Sequence, residues 1–221
     1  MVTGEYYHVY NRGVARQPVF LTKRDYERFR LSLEYYRFRD PPLRLSHCLQ
    51  LSQPDQTRLT QQGDKMSQRL VSVTSFVLMP NHFHLLVQQA ADNGISTFVS
   101  RVVNSYTRYF NVRHDRVGPL FQGAFKVVRV ETDAQLIHLS RYIHLNPVAS
   151  HVIKAAAWLT YPWSSLPEFC QGQSAWLDLK PVLAHFASPG AYKTFVSDYA
   201  DYTKTLKRVT HLALEPSSPE V

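Results

Sequence analysis

The sequence predicts an α+β protein of the ferredoxin-like, split βαβ kind: an antiparallel sheet with helices on one face. Three observations carry this. The run Leu70-Val71-Ser72-Val73-Thr74-Ser75-Phe76-Val77-Leu78 is β-branched and apolar, and it reads as a buried strand. Pro80-Asn81 is a turn signal, and Phe83 to Val87 reads as a second strand returning on the first. Helical spacing of apolar residues flanks this hairpin on both sides, so the order is strand, helix, strand, strand, helix, strand, with a third helix added.

The first strand is Tyr6-Tyr7-His8-Val9-Tyr10, and Asn11-Arg12-Gly13 is expected to break it with turn chemistry. Its tyrosines serve either core packing or stacking on unpaired bases. Thr22 is placed to cap a helix whose stripe is Tyr26, Phe29, Leu33 and Tyr36, ending before Pro41-Pro42. Residues 40–68 are polar and lack periodicity, which predicts a long loop or insertion with a short helix near Leu43–Leu51. After the hairpin, Gly94-Ile95-Ser96 leads into Phe98, Val99, Val102, Val103, Tyr106, Tyr109 and Phe110, a second amphipathic helix. Leu120 to Val130 reads as an extended segment ending in a strand. Thr132 or Asp133 caps a third helix through Ile137, Tyr142 and Leu145, expected to end by Pro147. Further helical patterns cover Pro181–Phe186 and Ala191–Leu206, and Pro216, Ser217, Ser218 and Pro219 mark a frayed tail.

Composition narrows the function classes. At 221 residues, 44% hydrophobic and 13% aromatic, the chain is globular rather than disordered. A formal charge of +8 favours an anionic partner such as nucleic acid. Cys48 and Cys170 match neither a disulfide nor a metal framework and fit a reducing compartment. No apolar run reaches the roughly 18–20 residues of a membrane span, and the first residues do not begin a signal peptide. A cytoplasmic, nucleoid-associated protein is expected.

Two constellations carry chemistry. Side chains alternate along a strand, so His82 and His84 share a face with Cα atoms roughly 6–7 Å apart. Two imidazoles so placed can hold a metal ion if a third ligand arrives, and can equally face solvent or satisfy a hydrogen bond. In Arg141-Tyr142-Ile143-His144-Leu145-Asn146-Pro147, Tyr142 and Asn146 project from one helical face, with His138 a turn earlier. The Tyr142 hydroxyl, with an ordinary pKa of about 10, can attack phosphorus beside a divalent cation, or the ring can simply be packed. Asn146 offers a hard oxygen ligand suited to Mg²⁺ or Mn²⁺. If water attacked instead of tyrosine, His138 and His144 are the nearby candidate bases.

Five segments in order resemble the single-tyrosine, His-hydrophobic-His transposases, and among them the REP-associated tyrosine transposases. They are His8-Val9-Tyr10-Asn11-Arg12-Gly13, Met79-Pro80-Asn81-His82-Phe83-His84-Leu85-Leu86-Val87, Gly118-Pro119-Leu120-Phe121-Gln122-Gly123, Arg141 to Val148, and Tyr161-Pro162-Trp163-Ser164-Ser165. The resemblance implies a metal-dependent single-stranded DNA endonuclease and strand transferase acting on hairpins of repeated palindromic DNA. It puts metal ligands on His82 and His84 and the nucleophile on Tyr142. Where the broader family has a glutamine ligand, this chain has Asn146. DNA contacts are expected from Arg12, Arg101, Arg108, Lys126 and Arg129. Residues 1–170 would be the catalytic domain, with 40–68 an insertion, and 171–221 a helical extension and flexible tail. Some relatives are dimers, and the sequence leaves monomer or homodimer undecided. A binding module that kept the fold without the chemistry is the alternative.

Overall fold

A two-residue turn at Pro80 and Asn81 joins strand β2 (Val71–Met79) to strand β3 (His82–Gln89) as the hairpin pattern predicts. In this computed structural model, residues 1–58 and 69–198 are described. Parts of three expectations lie outside them: the end of the 40–68 insertion, the helical pattern beyond residue 198, and the proline-serine tail.

Strand β1 (Tyr6–Arg12) pairs with β3 on one side and with strand β4 (Lys126–Val130) on the other, giving an antiparallel sheet of order β2-β3-β1-β4. The expected break at Asn11 comes two residues later. Asn11 and Arg12 stay in the strand, opposite Phe83 and His82. Cross-strand pairing overrides local turn preference there. The chain turns at Gly13, where a Cβ would collide with the carbonyl oxygen of Gln17.

The face of the sheet carrying Tyr7, Val9, Phe83, Leu85 and Val87 is covered by two helices, α1 (Lys23–Tyr36) and α3 (Gly94–Arg113); the short helix α2 (Leu45–Cys48) lies between them in sequence. Helix α1 opens on Asp25, whose Oδ2 accepts from the backbone N–H groups of Thr22 (2.8 Å) and Leu21 (3.0 Å). Phe29 of α1 meets Phe83 of the sheet with ring centroids 5.0 Å apart and Tyr106 of α3 at the same distance. Gly94 sits where a Cβ would strike the carbonyl oxygen of Leu70, so the start of α3 passes directly over the entry to β2.

The third long helix, α4 (Asp133–Ala149), is capped by Thr132, whose hydroxyl accepts from Gln135 N–H at 3.2 Å. It crosses the opposite face of the sheet and is buried along nearly its whole second half. It does not stop at Pro147 as expected. Pro147 lies in the last turn, where a missing N–H removes only one bond, and the helix closes with Ser150 N–H on the Asn146 carbonyl at 2.9 Å.

Residues 161–165 lie along the outer edge of β2. Leu78 N–H bonds to the Trp163 carbonyl at 2.8 Å, and Ser165 N–H to the Phe76 carbonyl at 3.0 Å. They cover an edge that would otherwise expose unpaired backbone groups. Helices α5 (Leu166–Gln171), α6 (Lys180–Leu183) and α7 (Pro189–Ser197) follow, and Phe169, Val182, Tyr192 and Val196 join the same core. Among the described residues no helix is long and apolar enough to cross a membrane.

Candidate active site

Three distant stretches of chain meet on the α4 face of the sheet. The register puts Tyr10 opposite His84 and Arg12 opposite His82, so His8, Tyr10 and Arg12 of β1 share a face with His82 and His84 of β3. The rings of His82 and His84 have centroids 5.0 Å apart. Tyr142 descends from α4 and sets its ring nearly perpendicular to His84, at 5.5 Å, and to His8, at 6.2 Å.

The hydrogen bonds limit which ring nitrogens can carry lone pairs. Asn81 Nδ2 donates to the Arg16 carbonyl at 3.1 Å, which fixes its amide so that Oδ1 faces His82 Nδ1 at 2.6 Å. An amide oxygen only accepts, so His82 Nδ1 carries the proton and, in the neutral ring, Nε2 the lone pair. His84 Nδ1 lies 2.9 Å from His8 Nε2, and one proton must sit between them. His84 Nε2 is buried with no hydrogen-bond partner. Were the proton on His8, that buried nitrogen would be an orphaned donor. With the proton on His84 Nδ1, Nε2 presents a lone pair to the site. Burial, followed by the positive charges of His82, His8 and Arg12, pushes the His84 pKa well below its ordinary value and keeps the ring neutral.

Two imidazoles held by outer partners, one with an unsatisfied buried nitrogen, fit a divalent cation. Among the described residues no set of three His, Cys, Asp or Glu side chains is disposed to hold an ion. Any third ligand from the described residues would be of another type. Asn146 is buried one turn after Tyr142 on the same face of α4, and its Oδ1 accepts from Ser150 Oγ at 3.3 Å.

The other expected residues divide. Arg12 and the exposed Lys126, which pairs opposite Tyr10, belong to the histidine face. Arg129 points to the other face and pairs with Glu5 at 3.1 Å. Arg101 and Arg108 are on α3, behind the sheet, where Arg101 Nη1 donates to the carbonyls of Phe38 (3.3 Å) and Arg39 (2.6 Å). Neither candidate base for water attack reaches the site. His144 is fully buried between Tyr192 Oη (2.7 Å) and Ser165 Oγ (2.8 Å), and burial pulls its pKa down to about 3. His138 packs on Phe195. Sequence reasoning missed His8 and the proximity of Tyr10, whose ring is 5.6 Å from that of His84. The available signal was their period-2 spacing in a strand that begins with aromatics.

The family model described as "Transposase IS200 like" matches residues 51–146, a span that ends on Asn146 and contains His82, His84 and Tyr142. No curated protein matches the sequence. The fold is similar to a solved structure described as the REP-associated tyrosine transposase bound to a REP hairpin, with TM-score 0.52 and 16% identity over 80% of this chain and 88% of that one.

Proposed function

We propose that this protein is a metal-dependent single-stranded DNA endonuclease and strand transferase that acts on hairpin DNA through Tyr142. One observation carries the reading: Tyr142 stands against His84, whose buried Nε2 has no partner of its own. His82 and His84, with Asn146, would hold Mg²⁺ or Mn²⁺, which when bound supplies Lewis-acid polarisation of a phosphodiester. The Tyr142 oxygen attacks phosphorus as it gives up its proton to the medium, the bond from phosphorus to the 3′ oxygen breaks, and the leaving 3′ oxygen takes up a proton. A 5′-phosphotyrosine and a free 3′-OH result, and a 3′-OH attacking that phosphotyrosine joins strands by the reverse displacement. Arg12 and Lys126 belong to this face and would contact backbone phosphates. The helix carrying Tyr142 is clamped by the core on its far side, which favours a fixed attack geometry. The hairpin bound to the similar transposase supports a hairpin substrate here.

The test is cleavage of a labelled hairpin with a single-stranded flank in Mn²⁺ or Mg²⁺. His82→Ala and His84→Ala should each abolish cleavage while hairpin affinity stays within a few-fold, since phosphate contacts supply most affinity. Full cleavage by either variant contradicts the assignment.

A further inference from the structure

Behind the sheet, between α1, α3 and the chain from Arg39 to Gln50, lies a groove of about 1460 Å³. Arginines converge on it from all three walls: Arg24 and Arg28 from α1, Arg39 and Arg44 from the connecting chain, Arg101 and Arg108 from α3. Two carboxylates line it, Glu27 and Asp40, and Glu27 already faces Lys23 at 3.6 Å.

Arg28 is the anomaly. It is 7% exposed, its Nε is buried without a hydrogen-bond partner, and its guanidinium carbon lies 5.5 Å from the centre of the Tyr109 ring. Among the described residues it has no carboxylate partner. A guanidinium is buried in proteins when something neutralises it. Arg24 and Arg108 at the rim likewise have no ion pair among the described residues. An arginine held in this way and aimed into a basic groove is a built anion site.

The groove is larger than the roughly 300–1,000 Å³ of a small-molecule site, and its charges are spread along it rather than focused on one point. Arginine forks at intervals match a run of phosphates. One sheet layer and one helix layer separate it from the histidines, roughly 20 Å. We propose that this groove binds the phosphodiester backbone of a second nucleic-acid segment, distinct from the one on the catalytic face, with Arg28 as its anchor. The proposal takes from the preceding reading only that this protein meets DNA.

The experiment is fluorescence anisotropy with the full chain in a chelator, so that no cleavage chemistry enters. Labelled single-stranded and duplex oligonucleotides are titrated between roughly 50 and 200 mM salt. The exposed double variant Arg24→Glu/Arg108→Glu should lose at least about tenfold in affinity, with a salt slope shallower by roughly 0.7 per lost contact on single strands. Arg28→Met should do the same in part. If Arg28→Met fails to fold, the double variant decides alone. Whichever oligonucleotide loses affinity in the variants identifies the strand form that the groove takes. Wild-type affinity and slope in the double variant overturn the proposal. So does displacement of DNA from the groove by pyrophosphate at concentrations where chloride of equal ionic strength has no effect, because that marks a small-anion site. Set beside a separate cleavage reaction in Mn²⁺, loss of affinity in the variants with no adduct in that reaction would sink the Tyr142 chemistry and leave the groove standing; an adduct there with unchanged salt slopes here would do the reverse.

Discussion

His8 is the residue that would make the histidine pair usable as a metal site in the proposed function. Its Nε2 sits 2.9 Å from His84 Nδ1, and a proton held on that side of the His84 ring would leave the buried Nε2 free to act as a ligand. Outer partners of this kind typically change metal affinity by about 10–100-fold. His8→Phe should therefore weaken Mn²⁺ binding by about tenfold or more, measured by EPR titration. His8→Gln, whose carbonyl can accept the same proton, should retain most of it. A second readout needs no metal: ¹⁵N NMR of His84 in the metal-free protein should report the Nδ1–H tautomer in wild type and its loss in His8→Phe. Equal Mn²⁺ affinity in wild type and His8→Phe would remove His8 from the site. His82 with His84, and Tyr142 with Asn146, were legible as pairs because spacing within one strand or one helix sets each pair on one face. His8 and Tyr10 depend on β1 pairing with β3, a contact across more than seventy residues that no local pattern announces. Arg101 and Arg129 were legible as charges and illegible as directions, since both point away from the histidines.

At the scale of elements, the sheet, its two crossover helices and α4 follow from periodicity and turn chemistry, because each buries a face its own sequence marks as apolar. What did not follow has local physical causes. Pro147 is accommodated in a last turn that the core holds from both sides, and Tyr161 to Ser165 pairs with β2 although it carries no strand-length run. The tightest joint between elements is the start of α3 on the entry to β2. Gly94→Ala drives a Cβ into the Leu70 carbonyl oxygen, which is backbone and cannot swing aside. It should cost about 1–3 kcal/mol and lower Tm by roughly 2–10 °C in a chain of this size, measured by thermal denaturation followed by circular dichroism. An unchanged Tm would mean that α3 shifts freely on the sheet. The Asp25 carboxylate at the start of α1 acts in the same layer. Burial raises its pKa, but hydrogen bonds from His114 and from the Thr22 and Leu21 N–H groups outweigh this and leave it lowered. Its stabilising contribution is present above its ordinary value of 3.8 and is lost as pH falls through the lower folded value.

The whole molecule is a sheet with different work on its two sides. One side is packed by α1 and α3 and backed by a basic groove; the other gathers His8, Tyr10, His82, His84 and Tyr142 from three separate elements under a helix clamped by the C-terminal segment. That arrangement brings two tyrosines to the histidines at nearly equal distances, 5.5 Å for Tyr142 and 5.6 Å for Tyr10. In the proposed function the chemistry falls to Tyr142, because Asn146 follows it one turn later on the same helix face. The most direct test incubates wild type, Tyr142→Phe and Tyr10→Phe with labelled hairpin DNA and Mn²⁺, resolves the products on a denaturing gel, and maps any adduct by mass spectrometry. The account predicts a covalent adduct on Tyr142 in wild type and in Tyr10→Phe, and none in Tyr142→Phe, which should still fold and bind the hairpin. An adduct that persists in Tyr142→Phe, or cleavage with no adduct in any of the three proteins, would contradict it.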